Sequence, residues 1–432
     1  MKPPVIRFNR CCLFLALSLF LICVPLALSG CGGGSSSGTT VRTYVAGSFP
    51  FGDAIDSHGN IWVANQGGNV MELSPSGAII NTCVAGSVPI GIAIDSAGNV
   101  WVENYGNGKT GIANGDSNVT ELSPACAKIG TYATGSFPAG GIAIDSAGNV
   151  WVTNWGAASG IAGIPGIANG DSNVTELVGP SPAATPCSNA VTTDCTNTYV
   201  AGSSPGGIAI DKSGNIWVAN KGNGTPGIAN VLDSNVTELV GPSPTATPCS
   251  GTVTTDCTNT YVAGSHPEGL AIDPAGNIWV VNKGNGTAGT DPLDSNVTEL
   301  VGPSPTATSC SGTVTTDCTN TYVAGSLPET VAIDSAGNAW VANGYNRGFG
   351  TSLTNSSVTE LSSSGAVIHT YAATGYQPYS IAIDSSGNVW VTNYGNGTAG
   401  IANGDSNVQE YMGAAKGPQY FPYSGPQWPG AE

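Results

Sequence analysis

The twelve residues GIAIDSAGNVWV occupy positions 91–102 and recur, letter for letter, at positions 141–152. A core that recurs along most of a 432-residue chain indicates one repeated structural unit rather than several unrelated domains. The repeat therefore predicts seven copies of one small supersecondary structure. The other five copies carry substitutions, and they begin at Phe51, Gly207, Gly269, Thr330 and Ser380.

Each unit alternates apolar and polar residues with a period of two, which is typical of β-strands. IAID and NVWVTN flank the turn DSAGN, in which Asp and Gly-Asn favour a tight hairpin. SNVTEL and TYVAGS follow as a third and a fourth strand, and we label the four strands a to d. One such sheet cannot bury both of its faces, so the units are expected to stack on one another.

One tryptophan lies in the middle of strand b of every unit. Burying its side chain against the neighbouring sheet contributes a gross stabilisation of about 4–6 kcal/mol. A closed ring of seven sheets joined in this way is an all-β, seven-bladed β-propeller of four-stranded antiparallel blades. The seven tryptophans are Trp62, Trp101, Trp151, Trp217, Trp279, Trp340 and Trp390.

The chain ends predict how the ring closes. The last unit has strands a, b and c but no strand d, whereas VRTYVAGS at residues 41–48 has the strand d sequence and precedes the first unit. We expect this N-terminal strand to complete the last blade, which leaves few free sheet edges. The propeller then covers residues 41–413, and a tail rich in proline and aromatic residues follows at 414–432.

The repeat pattern resembles NHL-type propeller repeats, and its P-x-G-I…G-x-[IV]-W rhythm is similar to the virginiamycin B lyase (streptogramin lyase) family. That resemblance implies a catalytic histidine directly after the proline that opens strand a, with nearby glutamates that serve a metal. Histidine is absent from this position in all seven units, so we favour a binding or interaction module for a protein, a glycan or a small ligand. A metal-dependent lyase or lactonase-like enzyme is the alternative. The residues at the position are Phe51, Ile90, Ala139, Gly206, Glu268, Glu329 and Tyr379.

Two of these residues suggest a site. Glu268 and Glu329 occupy equivalent positions in neighbouring blades, on the face where the d-to-a and b-to-c loops are expected to emerge. With Asn282 and Asn343, which end strand b on that face, and with His266, they are candidates to bind a ligand or a divalent cation, Ca²⁺ or Mg²⁺. Two solvated glutamates on a loop are the alternative interpretation.

The asparagine that ends strand b recurs in all seven units, which favours a structural role in capping backbone groups. A ring of amides that binds sugar hydroxyls is the alternative. The motif NGDSN at residues 114–118, 169–173 and 403–407 fits either a calcium loop or an Asx-turn that caps strand c.

The N-terminus has the features of a bacterial lipoprotein signal peptide, predicted at residues 1–30. Three basic residues precede an apolar run at residues 11–28, and LSGC at 28–31 matches the lipoprotein box. Cys31 is the predicted lipid attachment site, and residues 31–40 form a flexible tether. Gly32, rather than Asp, favours the outer membrane of the cell envelope, on its periplasmic side or at the surface.

Removal of the signal peptide would leave 8 basic and 28 acidic residues, a net charge of −20. Such a surface repels phosphate backbones, so nucleic acid is not an expected partner. The acyl anchor makes the membrane an expected partner, and we expect a monomer.

Eight cysteines remain in the predicted mature domain. Six form three pairs that each enclose seven residues, and this repeated spacing predicts three local disulfides in an oxidising compartment. Metal binding is the weaker alternative, because neither His nor CxxC accompanies them. Spacing does not decide whether Cys83 and Cys126 pair. The three predicted pairs are Cys187–Cys195, Cys249–Cys257 and Cys310–Cys318.

Overall fold

The computed structural model describes the propeller part of the chain. All described residues belong to the compact unit Thr39–Glu432, and none of them forms a helix of the length and apolarity that a membrane crossing requires. The predicted signal peptide and most of the tether therefore lie outside the described residues. These are residues 39–106, 117–156, 172–179, 187, 194–222, 234–241, 248–250, 252, 254–284, 295–302, 308–311, 313–344, 356–373, 375, 377–395 and 406–420.

The described residues form 28 β-strands. In chain order they are β1 (Val41–Tyr44), β2 (Pro50–Ile55), β3 (Ile61–Asn65), β4 (Asn69–Leu73), β5 (Ile79–Cys83), β6 (Pro89–Ile94), β7 (Val100–Asn104), β8 (Asn118–Leu122), β9 (Lys128–Ala133), β10 (Pro138–Ile144), β11 (Val150–Asn154), β12 (Asn173–Val178), β13 (Cys195–Tyr199), β14 (Pro205–Ile210), β15 (Ile216–Asn220), β16 (Asn235–Val240), β17 (Cys257–Val262), β18 (Pro267–Ile272), β19 (Ile278–Asn282), β20 (Asn296–Val301), β21 (Cys318–Tyr322), β22 (Pro328–Ile333), β23 (Ala339–Asn343), β24 (Ser357–Leu361), β25 (Val367–Ala372), β26 (Pro378–Ile383), β27 (Val389–Asn393) and β28 (Asn407–Tyr411).

The strands form seven four-stranded antiparallel sheets, as predicted. Blades 1 to 6 are β2–β5, β6–β9, β10–β13, β14–β17, β18–β21 and β22–β25, and blade 7 consists of β26–β28 with β1. Strand a of each blade contacts strand a of the next, and β26 of blade 7 contacts β2 of blade 1. The seven strands a therefore line a closed central channel.

The N-terminal strand completes blade 7, which confirms the predicted closure. β1 pairs antiparallel with β28, with Val41 opposite Tyr411 and Tyr44 opposite Val408. The Tyr44 hydroxyl donates a hydrogen bond to Glu410 at 2.8 Å, across 366 residues of sequence. The two ends of the propeller sequence thus meet within one sheet.

The repeated tryptophans pack between blades, as the sequence predicts. Trp62 of blade 1 packs against Val100 and Val102 of blade 2, and Trp390 of blade 7 packs against Ile61 and Val63 of blade 1. All seven tryptophan side chains are at most 5% exposed. Each indole N–H donates to the Asp of its own a-to-b turn at 3.0–3.4 Å, so burial leaves no indole donor unpaired.

A glycine in strand a explains the P-x-G rhythm of the repeat. An added Cβ on Gly207 of blade 4 would lie 2.8 Å from the Cα of Gly269 in blade 5. Neighbouring strands a approach too closely at the channel for a side chain to fit between these two residues. Glycine at this position therefore allows blades 4 and 5 to approach each other at the channel, whereas blades 6 and 7 have Thr330 and Ser380 there.

The three local disulfides are present. In each pair the Cα atoms lie 5.0–5.1 Å apart. The first cysteine of each pair also donates its backbone N–H to the outer strand d, for example Cys249 to the Thr258 carbonyl at 3.1 Å. The c-to-d loops of blades 3, 4 and 5 therefore cover part of their own outer sheet edges.

Cys83 and Cys126 also pair, with their Cα atoms 5.3 Å apart, and they connect blade 1 to blade 2. Cys83 occupies the strand d position that holds tyrosine in the other six blades, and Cys126 occupies a turn position that holds Gly77 in blade 1. Gly77 lies directly under the ring of Tyr44 from the preceding blade, so a Cβ there would overlap the ring. The replacement of tyrosine by Cys83 removes that ring and leaves room for Cys126.

The beginning of the C-terminal tail lies on the propeller. Ser335 of blade 6 donates its N–H to the Pro418 carbonyl at 2.8 Å, and Tyr420 donates its N–H to the Ile333 carbonyl at 2.7 Å. The tail therefore follows the a-to-b turns, on the face opposite the b-to-c loops. Residues 421–432 lie outside the described residues.

The two cysteine substitutions predict a compensating pair. Cys83→Ser with Cys126→Ser removes the covalent link, and we expect a loss of about 2–4 kcal/mol in the free energy of unfolding. Cys83→Tyr with Cys126→Gly restores the residues of the other blades, so we expect it to recover part of that loss through stacking on Trp62. Thermal unfolding of both variants under oxidising conditions measures the difference. A Tyr/Gly variant no more stable than the Ser/Ser variant would contradict this account.

Candidate functional site at the channel mouth

The d-to-a and b-to-c loops share one face, here called the upper face. In every blade, the residue after the strand b asparagine donates its N–H to the carbonyl of the residue before the strand a proline, such as Lys283 to His266 at 3.0 Å. The accepting residues are not glycine, yet their φ angles lie between +50° and +57°, which is strained backbone. The hydrogen bond holds them in that conformation. They are Phe49, Val88, Phe137, Ser204, His266, Leu327 and Gln377.

A cavity of about 110 Å³ lies at the upper end of the channel. Strands a supply most of its wall, and two residues that directly follow strand b complete it. We call this cavity and its lining side chains the channel mouth. The side chains that line it, glycines apart, are Phe51, Ile90, Trp155, Lys221, Glu268, Glu329, Thr330, Tyr379 and Ser380.

One side of the channel mouth is aromatic. The rings of Phe51 in blade 1 and Tyr379 in blade 7 are 3.9 Å apart between centroids, and Tyr394 lies behind them at 6.0–6.3 Å. Trp155 of blade 3 supplies a further aromatic ring to the wall. Each of these four rings belongs to a residue that directly follows a strand a proline or a strand b asparagine. Both positions lie at the upper end of the channel.

The other side of the channel mouth is charged and spans blades 4 to 6. The Lys221 ammonium contacts Glu268 of the next blade at 2.6 Å, and the Lys283 ammonium contacts Glu329 of the next blade at 2.8 Å. The two lysines directly follow the strand b asparagines, so each ion pair joins one blade to its neighbour. Gly344 lies beside this network, and a Cβ there would lie 2.8 Å from Glu329 Oε1, so a larger residue would displace the Glu329 carboxylate.

The lysines also contact the aromatic rings. Lys221 Nζ lies 4.2 Å from the centroid of the Trp155 ring, and Lys283 Nζ lies 5.8 Å from that of Tyr379. These distances are typical of cation–π contacts. Each ammonium group is thus held between a carboxylate and an aromatic face.

Burial alters the protonation of Glu329. Loss of solvent raises the pKa of its carboxyl group to about 7, although Lys283 opposes the shift and Glu268 adds to it. The side chain of Glu329 is only 6% exposed, against 13% for Glu268.

The structure brings Glu268 and Glu329 to the channel mouth but leaves the other candidate residues outside its wall. Asn282 and Asn343 are fully buried within their blades, where the Asn282 amide donates to Asn296 at 2.8 Å and the Asn343 amide donates to Thr359 at 3.1 Å. The other five strand b asparagines are equally buried, which fits the structural cap rather than an open ring of amides.

His266 lies beside the channel mouth rather than in its wall. Its carbonyl accepts the Lys283 N–H, and its Nδ1 is buried without a hydrogen-bond partner among the described residues. Within the described part of the chain, no three His, Cys, Asp or Glu residues are arranged to hold a metal ion. The Asn-Gly-Asp residues of the three NGDSN motifs lie outside that part.

The sequence analysis did not identify Lys221 and Lys283. Both directly follow the recurrent strand b asparagine, a position that also provides Tyr105, Trp155 and Tyr394. The recurrence of this position next to the position after proline is the sequence signal that places both lysines beside the two glutamates.

Solved structures show how common this architecture is. The chain has the propeller fold of streptogramin B lyase. That structure aligns at 13% identity with a TM-score of 0.53, over 86% of this chain and 97% of that chain. A catalytically inactive virginiamycin B lyase from Staphylococcus aureus with quinupristin aligns at 11% identity and a TM-score of 0.50, over 86% and 99%.

The WD40 β-propeller domain of Doa1 aligns at 11% identity and a TM-score of 0.54, over 86% of this chain and 96% of that chain. At such identities the likeness shows the fold alone. No family model matches the chain, and no curated protein matches its sequence.

Below the channel mouth, one acidic residue replaces an apolar one. Asp53 occupies the strand a position that holds Ile92 in blade 2 and Ile381 in blade 7. The Ser380 hydroxyl of blade 7 donates to Asp53 Oδ1 at 2.5 Å, while Asp53 Oδ2 is buried without a partner among the described residues. Burial raises the pKa of Asp53 to about 7, and the Ser380 hydrogen bond opposes the shift.

This shift predicts a pH-dependent stability. Because the folded-state pKa of Asp53 is raised, its contribution is full below about pH 4, the unfolded-state value, and is lost as pH rises through about 7. Asp53→Asn removes the titration, so at pH 8 we expect it to exceed wild type in stability by about 1–3 kcal/mol, with little difference at pH 4.5. Calorimetric unfolding of both proteins from pH 4 to 8 measures this difference. A difference in stability between variant and wild type that does not change with pH would refute the prediction.

Proposed function

We propose that this chain is a binding propeller and that its channel mouth receives the ligand. The observation behind this proposal is the division of one small cavity into an aromatic side and a charged side. Ligand pockets characteristically combine apolar walls with a few fixed polar groups that orient the ligand. The channel mouth has both, at the end of the ring where seven blades converge.

The size of the cavity limits what it can hold. At about 110 Å³ it is well below the roughly 300–1,000 Å³ of pockets that enclose drug-sized molecules. It fits a side chain, a sugar substituent or another end group of a larger ligand. A protein or glycan that inserts one group, or a correspondingly small molecule, is therefore the expected ligand class.

A metal-dependent lyase or lactonase-like enzyme is the second candidate, and Glu329 favours it. A carboxyl group with a pKa of about 7 beside a cavity has the properties of a general base. The ion pairs argue against this activity, because Lys221 and Lys283 already neutralise the two carboxylates that a divalent cation would bind. Turnover of a bound ligand, dependent on added Mg²⁺ or Ca²⁺, would identify this activity.

Ligand screening with a matched pair of variants tests the binding proposal. Thermal-shift screening of Thr39–Glu432 against small molecules and envelope glycans identifies ligands, and calorimetry gives their affinities. Thr330→Tyr fills the channel mouth, so we expect it to weaken binding by about tenfold or more. Thr198→Tyr makes the same substitution on the exposed outer strand of blade 3 and is expected to leave affinity unchanged. Equal binding by both variants would place the ligand elsewhere.

We also propose that this monomeric propeller is exported and anchored to the bacterial outer membrane through acylated Cys31. The lipoprotein box and the four disulfide pairs support this location, because structural disulfides persist in oxidising compartments. Metabolic labelling with palmitate tests it, since Cys31→Ala is expected to abolish incorporation.

A further inference from the structure

We infer that the ligand group received by the channel mouth is an alkylammonium ion, from a free amine or from a lysine side chain of a partner protein. This inference rests on the proposed binding function and specifies its ligand chemistry. Three features of the channel mouth support it.

The first feature is that the two glutamates of the channel mouth already bind ammonium groups, both from lysines of the same chain. Lys221 lies between Glu268 and the face of Trp155, and Lys283 lies between Glu329 and the face of Tyr379. A carboxylate opposite an aromatic face is the combination that proteins use to bind organic cations. The same environment therefore occurs twice, with ammonium as its occupant each time.

The second feature is an unused acceptor. Glu268 Oε1 accepts the Lys221 hydrogen bond, whereas its Oε2 has no hydrogen-bond partner among the described residues. The cavity wall contains both carboxylates but only one of the two lysines, because Lys283 does not line the cavity. An incoming ammonium ion thus meets the Glu268 carboxylate in the cavity wall, and the aromatic ring of Phe51 lines the same cavity.

The third feature is the charge of the whole chain. With 28 acidic and 11 basic residues, it is strongly anionic at neutral pH. A channel within such a molecule attracts cations and repels anions over several ångströms. An anionic ligand would have to overcome this field as well as the two carboxylates of the wall.

Aromatic rings distinguish an organic cation from a metal ion. Ca²⁺ takes six to eight oxygen ligands and Mg²⁺ keeps a near-octahedral shell, whereas the wall of the channel mouth offers two carboxylates that both contact lysine. Rings add nothing to a hydrated divalent ion, but they stabilise an alkylammonium group and its carbon chain.

Calorimetry with three four-carbon probes tests the inference on the unmodified protein. n-Butylamine at neutral pH is cationic, 1-butanol is neutral and butyrate is anionic, while all three carry a similar alkyl chain. We expect n-butylamine to bind about tenfold or more tightly than 1-butanol, and butyrate to bind most weakly. Equal or tighter binding of butyrate would overturn the inference.

Two glutamine substitutions locate the effect. Glu268→Gln removes a carboxylate charge from the cavity wall, so we expect it to weaken n-butylamine binding by about tenfold. Glu121→Gln removes one negative charge from the outer part of blade 2, where Glu121 accepts the Tyr132 hydroxyl at 2.7 Å, and we expect it to leave affinity within about twofold. Unchanged affinity in Glu268→Gln would overturn the inference, and the probe comparison decides the question if that variant does not fold.

A peptide with a single lysine, and the same peptide with that lysine acetylated, separates the two sources of the ammonium group. Binding of the lysine peptide that is lost on acetylation identifies a partner protein as the source. Binding of n-butylamine with no binding of either peptide identifies a free amine. If anionic or neutral ligands bind and Thr330→Tyr weakens their binding, the ammonium inference is wrong but the binding proposal stands. Loss of all ligand binding at the channel mouth would overturn both.

Discussion

Burial of the strand b tryptophan against the next blade is the interaction on which this structure depends. A four-stranded sheet leaves one face apolar, and each tryptophan covers that face of the neighbouring sheet while its N–H is held by an aspartate of its own blade. Seven equivalent contacts of this kind form a closed ring only if the last blade also packs against the first. Trp390 makes that contact, and β1 provides the outer strand that blade 7 would otherwise lack.

The ring geometry determines where function can arise. Every blade presents the same two positions to the upper end of the channel, one after the strand a proline and one after the strand b asparagine. Because the backbone is repeated, the side chains at these positions can vary without altering the fold. In this chain they give aromatic residues in blades 7, 1 and 3, and interleaved lysines and glutamates in blades 4 to 6. The channel mouth is therefore asymmetric within a nearly symmetric scaffold.

Much of the architecture could be predicted from sequence because repetition reveals it. The seven tryptophans, the orphan strand at residues 41–48 and the three equally spaced cysteine pairs each led to a correct structural prediction. Glu268 and Glu329 were correctly placed at the channel, since their register in strand a fixes the end of the strand that they occupy.

Other features depend on contacts between blades, which one unit does not display. The pairing of Cys83 with Cys126 follows from a tyrosine and a glycine missing in two neighbouring blades, so only a comparison across the interface reveals it. The lysine partners of Glu268 and Glu329 likewise come from preceding blades. Burial of the strand b asparagines depends on the glycine of the d-to-a loop that packs over them, as Gly264 does over Asn282.

Hydrogen exchange of the two terminal strands tests the central claim most directly. If tryptophan contacts close the ring through blade 7, the paired amides of β1 (Val41–Tyr44) should exchange about as slowly as those of the outer strand β25 (Val367–Ala372). Trp390→Ala should then accelerate exchange in β1 and β28 together. Exchange of β1 at the rate of an unstructured peptide in the wild-type protein, with β28 still protected, would contradict the account.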